Sequence, residues 1–590
     1  MTLSEDAVLG VKRSVSGRYW RNRLLDSRAS TALAQAMNMP EIVARVLAAR
    51  GVTTDSYSDF VKPSLRTLMP DPSRLTDMDI AVDRLADALE NSETIAVFGD
   101  YDVDGATSSA LLKRYLEHVN GRVRVYIPDR LKEGYGPNEH ALKKLESEGA
   151  RVVVTVDCGT TAYAALECAS AGNMDVIVVD HHDAEARRPP CLALVNPKRF
   201  DDRSDCGQLA AVGVVFLLVV GLNRALRARG WFAVREEPDL RQWLDLVALG
   251  TICDVVPLTG VNRALVNHGL RVLVRRGNVG LAALADSAGV REPPGTYHVS
   301  YVLGPRVNAG GRVGEADLGA RLLSTDDRAE AVALASRLDA LNAERRSLEK
   351  EVERTAMSQL EGRVGDATPL VVAAGEGWHP GVIGIVASRL MERYRRPALV
   401  IALEGDIGKG SARSIAGVDL GAAVIAARQA GLLIAGGGHA MAAGLTVAAD
   451  KLAALTEFLT LRLEAQVAGS DSMAISVDGA LTVGAANSEL VDTLRHVGPF
   501  GAGNPEPRFA ISATRVAHAS VVGERHIRCV LTDSTGARLN GIAFRSVDSC
   551  VGQTLLDAAG RALHVLGYLR FNEWRGRKQV QLTVVDLAVA

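Results

Sequence analysis

The residues best suited to chemistry stand in FGDYDVDG, at 98–105, where Asp100, Asp102 and Asp104 crowd one turn straight after an apolar run. Carboxylates this close repel one another and keep their charges only if a cation neutralises them. One acidic turn alone is commonly a solvated surface feature. Here two further apolar runs end the same way: VTVDCG closes on Asp157, and VIVVDHHD on Asp180, His181, His182 and Asp183. If these runs are strands of one parallel sheet, their C-terminal ends aim the side chains into a single crevice. Carboxylates with one or two imidazoles and no thiolate suit Mn²⁺ or Mg²⁺, and the histidines favour Mn²⁺. Cys158, beside Asp157, reads as a small buried residue rather than a ligand. Four or five carboxylates exceed what one ion needs, so two ions sharing a bridging aspartate are expected. Such a pair, about 3.5–4 Å apart, makes a hydroxide nucleophile and clamps a phosphoester. Metal-assisted phosphoester hydrolysis is the reaction class that follows. Asp254, in GTICDVVPL, is a further acid, although a carboxylate between a helical run and a proline is also a common helix end.

Positioning such a cluster takes regular elements, and the chain supplies them from residue 94 onward. Short β-branched runs (TIAVF, RVRVYIP, RVVVTVD, DVIVVDHH) alternate with helical segments of about 10–15 residues, the pattern of βαβ units around a parallel sheet. Residues 208–230 and 239–275 read as buried helices. Within 327–361, Leu334, Leu338, Leu341, Leu348 and Val352 recur at helical spacing, which predicts one connecting helix roughly 50 Å long. A second α/β stretch runs from PLVVAAG at 369 to about 465. After about 508 the chain turns β-rich, and five apolar runs fit a small barrel. The fold class expected is α/β, with a parallel-sheet domain, a long helix, a second α/β domain and a C-terminal β-barrel.

Composition narrows the setting. The 590 residues hold 47% apolar and 23% charged side chains, enough to bury a large core. The longest apolar run, Leu209–Leu222, falls short of the ~20 residues that span a bilayer, so no membrane is expected. MTLSEDAVLG lacks the basic and apolar regions of a secretory signal. Seven scattered cysteines without CxxC pairs fit a reducing compartment, hence the cytoplasm. Net charge is −2, a balance that by itself does not announce a nucleic-acid binder. Yet residues 508–590 carry 11 Lys/Arg against 6 Asp/Glu, a local +5, which leaves −7 on the rest.

The motifs DYDVDG (100–105), VDCGT (156–160) and DHH (180–182) resemble the DHH phosphoesterase superfamily. CDVVP (253–257), GPRVNAGGR (304–312), GWHPGVIGIVASRL (377–390), SARS (411–414) and GGGHAMAAG (436–444) narrow the resemblance to its RecJ family of bacterial single-strand-specific 5′→3′ exonucleases. The resemblance implies that Asp102 and Asp157 hold a first metal. It implies that Asp104, Asp157, His181 and Asp254 hold a second, with Asp157 as the bridge. His182 would face the scissile phosphate, and Asp100 would support the catalytic set. The DHH-associated domain is implied to hold substrate through Ser411, Arg413 and a nest of backbone N–H groups at Gly436, Gly437 and Gly438. Arg130 and Arg306 would complete a 5′-phosphate pocket, and Asn308, Arg312, His379 and His439 also lie in matched motifs. The barrel resembles an OB-fold, with Tyr568, Arg570, Phe571, Trp574, Arg575, Arg577 and Lys578 interleaving aromatics and cations as a grip on single-stranded DNA.

The domain boundaries expected are an N-terminal segment (1–45), a DHH catalytic domain (46–326), the helix (327–361), the DHH-associated domain (362–470) and the OB-fold (471–590). The partner expected is single-stranded DNA with a 5′ end. A single-strand-binding protein and a helicase are implied by the resemblance alone. Two other functions fit parts of the pattern. One is a phosphodiesterase of the same superfamily acting on short oligonucleotides or cyclic dinucleotides, for which the basic barrel would have no task. The other is a non-catalytic DNA-binding scaffold, which would not need the acids at 102, 104, 157 and 254.

Overall fold

Five runs of β-branched and apolar residues form a parallel sheet: β1 (Thr94–Gly99), β2 (Arg122–Tyr126), β3 (Ala150–Val156), β4 (Asp175–Val179) and β5 (Ala193–Val195), in the order β2-β1-β3-β4-β5. Val152–Val154 and Ile177–Val179 are fully buried, as expected of strands covered on both faces. The chain leaves β1 toward β2 on one side and returns to pair β3 on the other, so a topological switch point lies between β1 and β3. The computed structural model describes residues 6–130, 132–172, 174–365, 368–470, 473–558, 560–574 and 577–590.

Helices cover this sheet. α1 (Val103–His118) starts one turn after β1, capped by Asp102, whose carboxylate accepts the Gly105 N–H at 3.1 Å. α2 (Ala211–Ala228) is long and apolar, and its side chains lie mostly in the core. The stretch 239–275 is not one helix. It splits into α3 (Leu244–Cys253) and α4 (Gly260–Val274), because Val255 adopts φ 61° and Pro257 can donate no helical hydrogen bond. α5 (Gly304–Val313) follows a π-helical turn at Val299–Leu303. The leucine spacing of 327–361 produces one continuous helix, α6 (Arg328–Leu360).

Contacts divide the chain into two units, one containing Trp20–Leu341 and Ser476–Ala590, the other Asn342–Ile475. The second unit has a mixed sheet of β6 (Val371–Glu376), β7 (Ala398–Glu404), β8 (Ile407–Arg413), β9 (Ala435–His439) and β10 (Ala442–Ala448), ordered β9-β10-β8-β7-β6. α7 (Pro380–Tyr394) and α8 (Leu420–Gln429) accompany it.

In the first unit, β11 (Gly479–Leu481) leads into β12 (Phe509–Val522), β13 (His526–Thr532), β14 (Arg538–Ala543), β15 (Ala562–Trp574) and β16 (Arg577–Val589). Pairings β12-β13-β14-β16-β15, with β15 returning to β12, close a five-stranded barrel of the OB type. Its core also contains Leu33, Val43, Val46 and Leu47, from the helices Arg28–Met37 and Glu41–Ala48. Trp20, fully buried, donates its indole N–H to Asp586 at 3.0 Å. Arg50 and Asp478 form an ion pair at 2.9 Å with side chains 1% and 0% exposed, and Arg23 reaches the same carboxylate at 3.1 Å.

This buried pair makes a stability prediction. Asp478→Ala strands Arg50 without a counter-charge and is expected to cost about 3–5 kcal/mol in denaturant titration. The half-exposed Arg570, paired with Glu506, should cost only about 0–1 kcal/mol when replaced by alanine.

Candidate metal centre and nucleic-acid surfaces

The acidic turn after β1 is built by a close approach. A Cβ on Gly105 would sit 2.4 Å from the Asp100 carbonyl oxygen, so only glycine lets α1 start this near the strand end. Asp157, at the end of β3, adopts φ 60°, a left-handed conformation that aspartate and asparagine tolerate better than most residues. Asp254 caps the C-terminus of α3, and Val255 turns the chain away behind it. The switch point therefore receives side chains from β1, β3, β4 and α3.

Their polar atoms converge. His181 Nε2 lies 3.3 Å from Asp157 Oδ1, 3.6 Å from Asp254 Oδ2 and 3.7 Å from Asp104 Oδ2. Among the described residues, three groups have ligand atoms close enough to share an ion: Asp100–Asp102–Asp157, Asp104–His181–Asp254 and Asp157–His181–His182. Asp100 Oδ1, Asp157 Oδ1, Asp254 Oδ2 and His181 Nδ1 are buried and have no hydrogen-bond partner. Asp104 also accepts the N–H groups of Ala211 and Val212 at 2.7 and 2.9 Å, serving as the cap that Ala210 cannot provide at the start of α2.

Burial, reinforced by neighbouring carboxylates, pushes Asp100, Asp104 and Asp254 up to about 7. Asp157 is raised well above the usual range by burial and by the charges of Asp104, Asp102 and Asp100. Orphaned oxygens on carboxyls that cannot all ionise, with one imidazole nitrogen among them, fit divalent cations of the Mn²⁺ or Mg²⁺ kind. Cys158 is buried with its thiol pushed up by burial, and Asp183 lies apart, paired with Lys198 at 3.6 Å.

His182 is held differently. Its Nδ1 lies 2.7 Å from Asp180 Oδ1, and its Nε2 lies 3.4 Å from the Tyr135 hydroxyl. Burial opposes protonation, but the Asp180 hydrogen bond and the surrounding carboxylates outweigh it and raise His182 to about 9. Asp180 itself is saturated: it accepts from Thr160 N and Oγ1 at 3.1 and 2.7 Å and from the backbone N–H groups of His181 and His182. Burial would raise its carboxyl, but the hydrogen bond and charge of His182, with the Thr160 hydroxyl, hold it well below the usual range. Asn196 donates to Thr160 Oγ1 and to the His182 carbonyl at 2.9 and 2.8 Å, bracing the same turn. Tyr135 also donates to the Asp157 carbonyl at 3.1 Å. Sequence reasoning assigned no role to Tyr135, Thr160 and Asn196, although Thr160 closes the VDCGT motif.

The phosphate-binding candidates separate. Arg130 stacks on Tyr101 at 5.3 Å and donates to its hydroxyl, within electrostatic reach of Asp100 and Asp102. α5 packs on the same ring, since a Cβ on Gly311 would meet Tyr101 at 2.0 Å, and Arg312 lies within electrostatic reach of that tyrosine. Arg306 is committed elsewhere: its Nε donates to Asp339 at 2.8 Å and an Nη to the Val302 carbonyl at 2.7 Å. Asn308 keeps a buried Oδ1 without a partner.

In the second unit, Ser411 and Arg413 stand two apart on β8, with Arg413 Nη1 3.2 Å from Ser411 Oγ. Register carries that face across Gly444 to Gly437, and across Ala442 to His439. The expected backbone nest is not formed: Gly436, Gly437 and Gly438 lie in the edge strand β9, paired with Leu445, Gly444 and Ala443. What the glycines leave is open floor, since a Cβ at Gly437 or Gly444 would meet nothing within 4 Å. His379 caps α7, its Nδ1 accepting the Gly381 N–H at 3.0 Å.

The aromatic row of the barrel also divides, because strand side chains alternate. Tyr568 and Arg570 share one face, with Arg508 donating to the Tyr568 hydroxyl at 2.7 Å and Arg570 bound to Glu506. Phe571 turns toward the core on the other, with Lys578 3.7 Å from its ring centroid. Lys578 also pairs with Asp492 at 3.5 Å. Arg577 is exposed. The Trp574 side chain and Arg575 lie outside the described residues.

Residues 94–251 match the DHH family, N-terminal domain, residues 367–465 the DHHA1 domain, and residues 477–586 the RecJ OB domain. The single-stranded-DNA-specific exonuclease RecJ of Dickeya dadantii is 37% identical over 565 residues, covering 93% of this chain and 96% of that protein. Crystal structures of RecJ from Thermus thermophilus are similar over most of this chain. The complex with Mn²⁺ gives a TM-score of 0.78 at 31% identity, over 96% of this chain and 78% of that one. The complex with Mg²⁺ gives 0.73 at 30% identity, over 96% and 77%.

The centre's electrostatics make three predictions. Without metal, the folded chain keeps protons on Asp100, Asp104 and Asp254 up to about 7, whereas the unfolded chain releases them near 3.8. The folded state thus binds more protons between these values, and metal-free stability should fall as pH rises through that window. Mn²⁺ should raise Tm at pH 8, while Asp157→Asn should raise the metal-free Tm and shrink the Mn²⁺ effect; a Tm indifferent to Mn²⁺ would contradict the reading. Asp180→Asn, which removes the support of His182, should cost about 10–100-fold in activity or metal affinity.

Proposed function

The chain belongs to the RecJ family of single-stranded-DNA-specific exonucleases, and from that premise we propose that it releases 5′-mononucleotides from the 5′ end of single-stranded DNA in recombination and repair. The observation that carries the reading is the set of buried, orphaned carboxylate oxygens around His181 at the switch point. Asp100, Asp102, Asp104, Asp157, His181 and Asp254 would hold two divalent cations, Mn²⁺ in preference to Mg²⁺, with Asp157 shared between them. When bound, such a pair supplies an activated water and neutralises charge on a phosphodiester.

The side chains supply the rest. His182, raised to about 9, is charged at neutral pH and presents an N–H beside the carboxylates, where it would meet a phosphate oxygen. Asp180 fixes that imidazole through Nδ1 and leaves Nε2 free to turn from Tyr135 to substrate. Arg130 and Arg312, gathered on Tyr101, would hold backbone phosphates entering the site. In the second unit, the open glycine floor flanked by Ser411, Arg413 and His439 supports phosphate binding, with Arg413 as the fork. On the barrel, Tyr568 with Arg508 and Arg570 offers a stacking surface that duplex DNA, whose bases are already paired and stacked, would not use. A single-strand-binding protein and a helicase would deliver the unpaired strand. All seven cysteines are free, which supports a cytoplasmic setting.

The test is digestion of 5′-labelled single-stranded and blunt duplex DNA with Mn²⁺, Mg²⁺ or EDTA. Wild type should degrade the single strand from its 5′ end only with metal, and Asp157→Asn, which keeps the left-handed backbone, should be inactive. Activity that survives EDTA, or equal loss of blunt duplex, would overturn the proposal. Removing the barrel would strip the core from the N-terminal helices, so its role is better read through Arg577→Ala. That change should lower the slope of log affinity against log salt by about 0.7 if the side chain contacts one phosphate.

A further inference from the structure

Behind the carboxylates, the turn that follows Asp254 opens into a second space. A cavity of about 340 Å³ is walled by Val255, Val256, Pro305, Tyr301 and Phe500, with Asn308 at its edge. No charged side chain lines it, so it is built for a neutral guest rather than a phosphate. The size is at the small end of ligand pockets, which run from about 300 to 1,000 Å³. Its lining is mostly apolar, with the polar residues Ser300 and Asn308 among it. A planar guest with polar groups on its edge satisfies both features.

The pocket is preformed. Leu258 donates to the Ala502 carbonyl at 2.8 Å, and a Cβ on Gly501 would meet Leu258 at 2.7 Å, so the loop carrying Phe500 is clamped to the turn after Asp254. Arg263 Nη2 donates to the carbonyls of Val497 and Gly498 at 2.9 and 2.5 Å from the other side. Val255 holds φ 61°, a costly conformation for a β-branched residue, and its side chain is 70% exposed at the pocket. The strain turns Asp254 into the carboxylate cluster and Val255 into the cavity at the same step of chain. Tyr301, 67% exposed, continues outward to Tyr297 with ring centroids 5.4 Å apart, and Tyr297 lies within electrostatic reach of Arg570 on the barrel.

We propose that this cavity receives one nucleobase of the bound strand, stacked against Tyr301 and Phe500 and held at its edge by Asn308, so that the adjoining phosphodiester is presented to the centre beside Asp254. The proposal rests on the exonuclease reading and adds to it a base-binding subsite. Because aromatic stacking accepts every base, the subsite would grip the strand without selecting sequence.

The experiment moves a single abasic unit one position at a time from the 5′ end of an oligonucleotide and measures KM and kcat with Mn²⁺. Wild type should show KM raised about tenfold at one position, with kcat little changed. Tyr301→Ala should raise KM for the unmodified strand by a similar factor and lose the sensitivity at that position, while Tyr301→Phe should keep it. A wild type that digests single strands with the same KM at every abasic position would overturn the subsite alone, as would undiminished sensitivity in Tyr301→Ala. A wild type that digests no single strand would overturn the exonuclease reading and the subsite together.

Discussion

Repulsion among carboxylates held out of water is the constraint around which this molecule is arranged. Asp100, Asp104, Asp157 and Asp254 are drawn to one point, and one oxygen each of Asp100, Asp157 and Asp254 is left buried without a hydrogen bond. A fold that retains such a site in the absence of cations must keep protons on groups that would ordinarily lose them. Cations remove that penalty, so metal binding and local stability are one quantity seen from two sides. Apolar burial elsewhere has to be large enough to carry the metal-free state, and the strands β1, β3 and β4, fully covered by helices, supply it.

The sheet topology converts this constraint into a site. Because the order of strand addition reverses between the parallel strands β1 and β3, the loops after these strands separate and leave a crevice between them. Local devices then aim the side chains: glycine at 105 allows the close turn, the left-handed backbone of Asp157 swings its carboxylate inward, and the break between α3 and α4 releases Asp254. Asp104 joins two needs, facing His181 while closing the N-terminus of α2. Asp180 does the reverse, spending its oxygens on Thr160 and on the backbone so that His182 stays charged and oriented.

Much of this was legible in the sequence because strand ends are. A β-branched run followed by an acid places that acid at the C-terminal edge of a parallel sheet, and three such runs located Asp102, Asp104, Asp157 and His181 without any coordinates. What pattern could not show was the partner of each polar group. Arg306 sits in a matched motif, yet its guanidinium is taken by Asp339, thirty-three residues away. The glycines at 436–438 promised a nest, but pairing with β10 made them an edge strand. Alternation along β15 sent Tyr568 and Phe571 to opposite faces, although the sequence set them in one row. Nor did composition reveal that the helices near residues 28–48 complete the barrel core, since that contact joins segments hundreds of residues apart.

The central claim is that these acids hold a coupled pair of cations with Asp157 between them. Electron paramagnetic resonance during titration of the metal-free chain with Mn²⁺ tests it most directly, because two Mn²⁺ ions joined by a carboxylate give an exchange-coupled spectrum that isolated ions do not. Two Mn²⁺ per chain with coupled spectra are expected, with loss of the coupling in Asp157→Asn. Saturation at a single ion, or two ions whose spectra simply add, would contradict it.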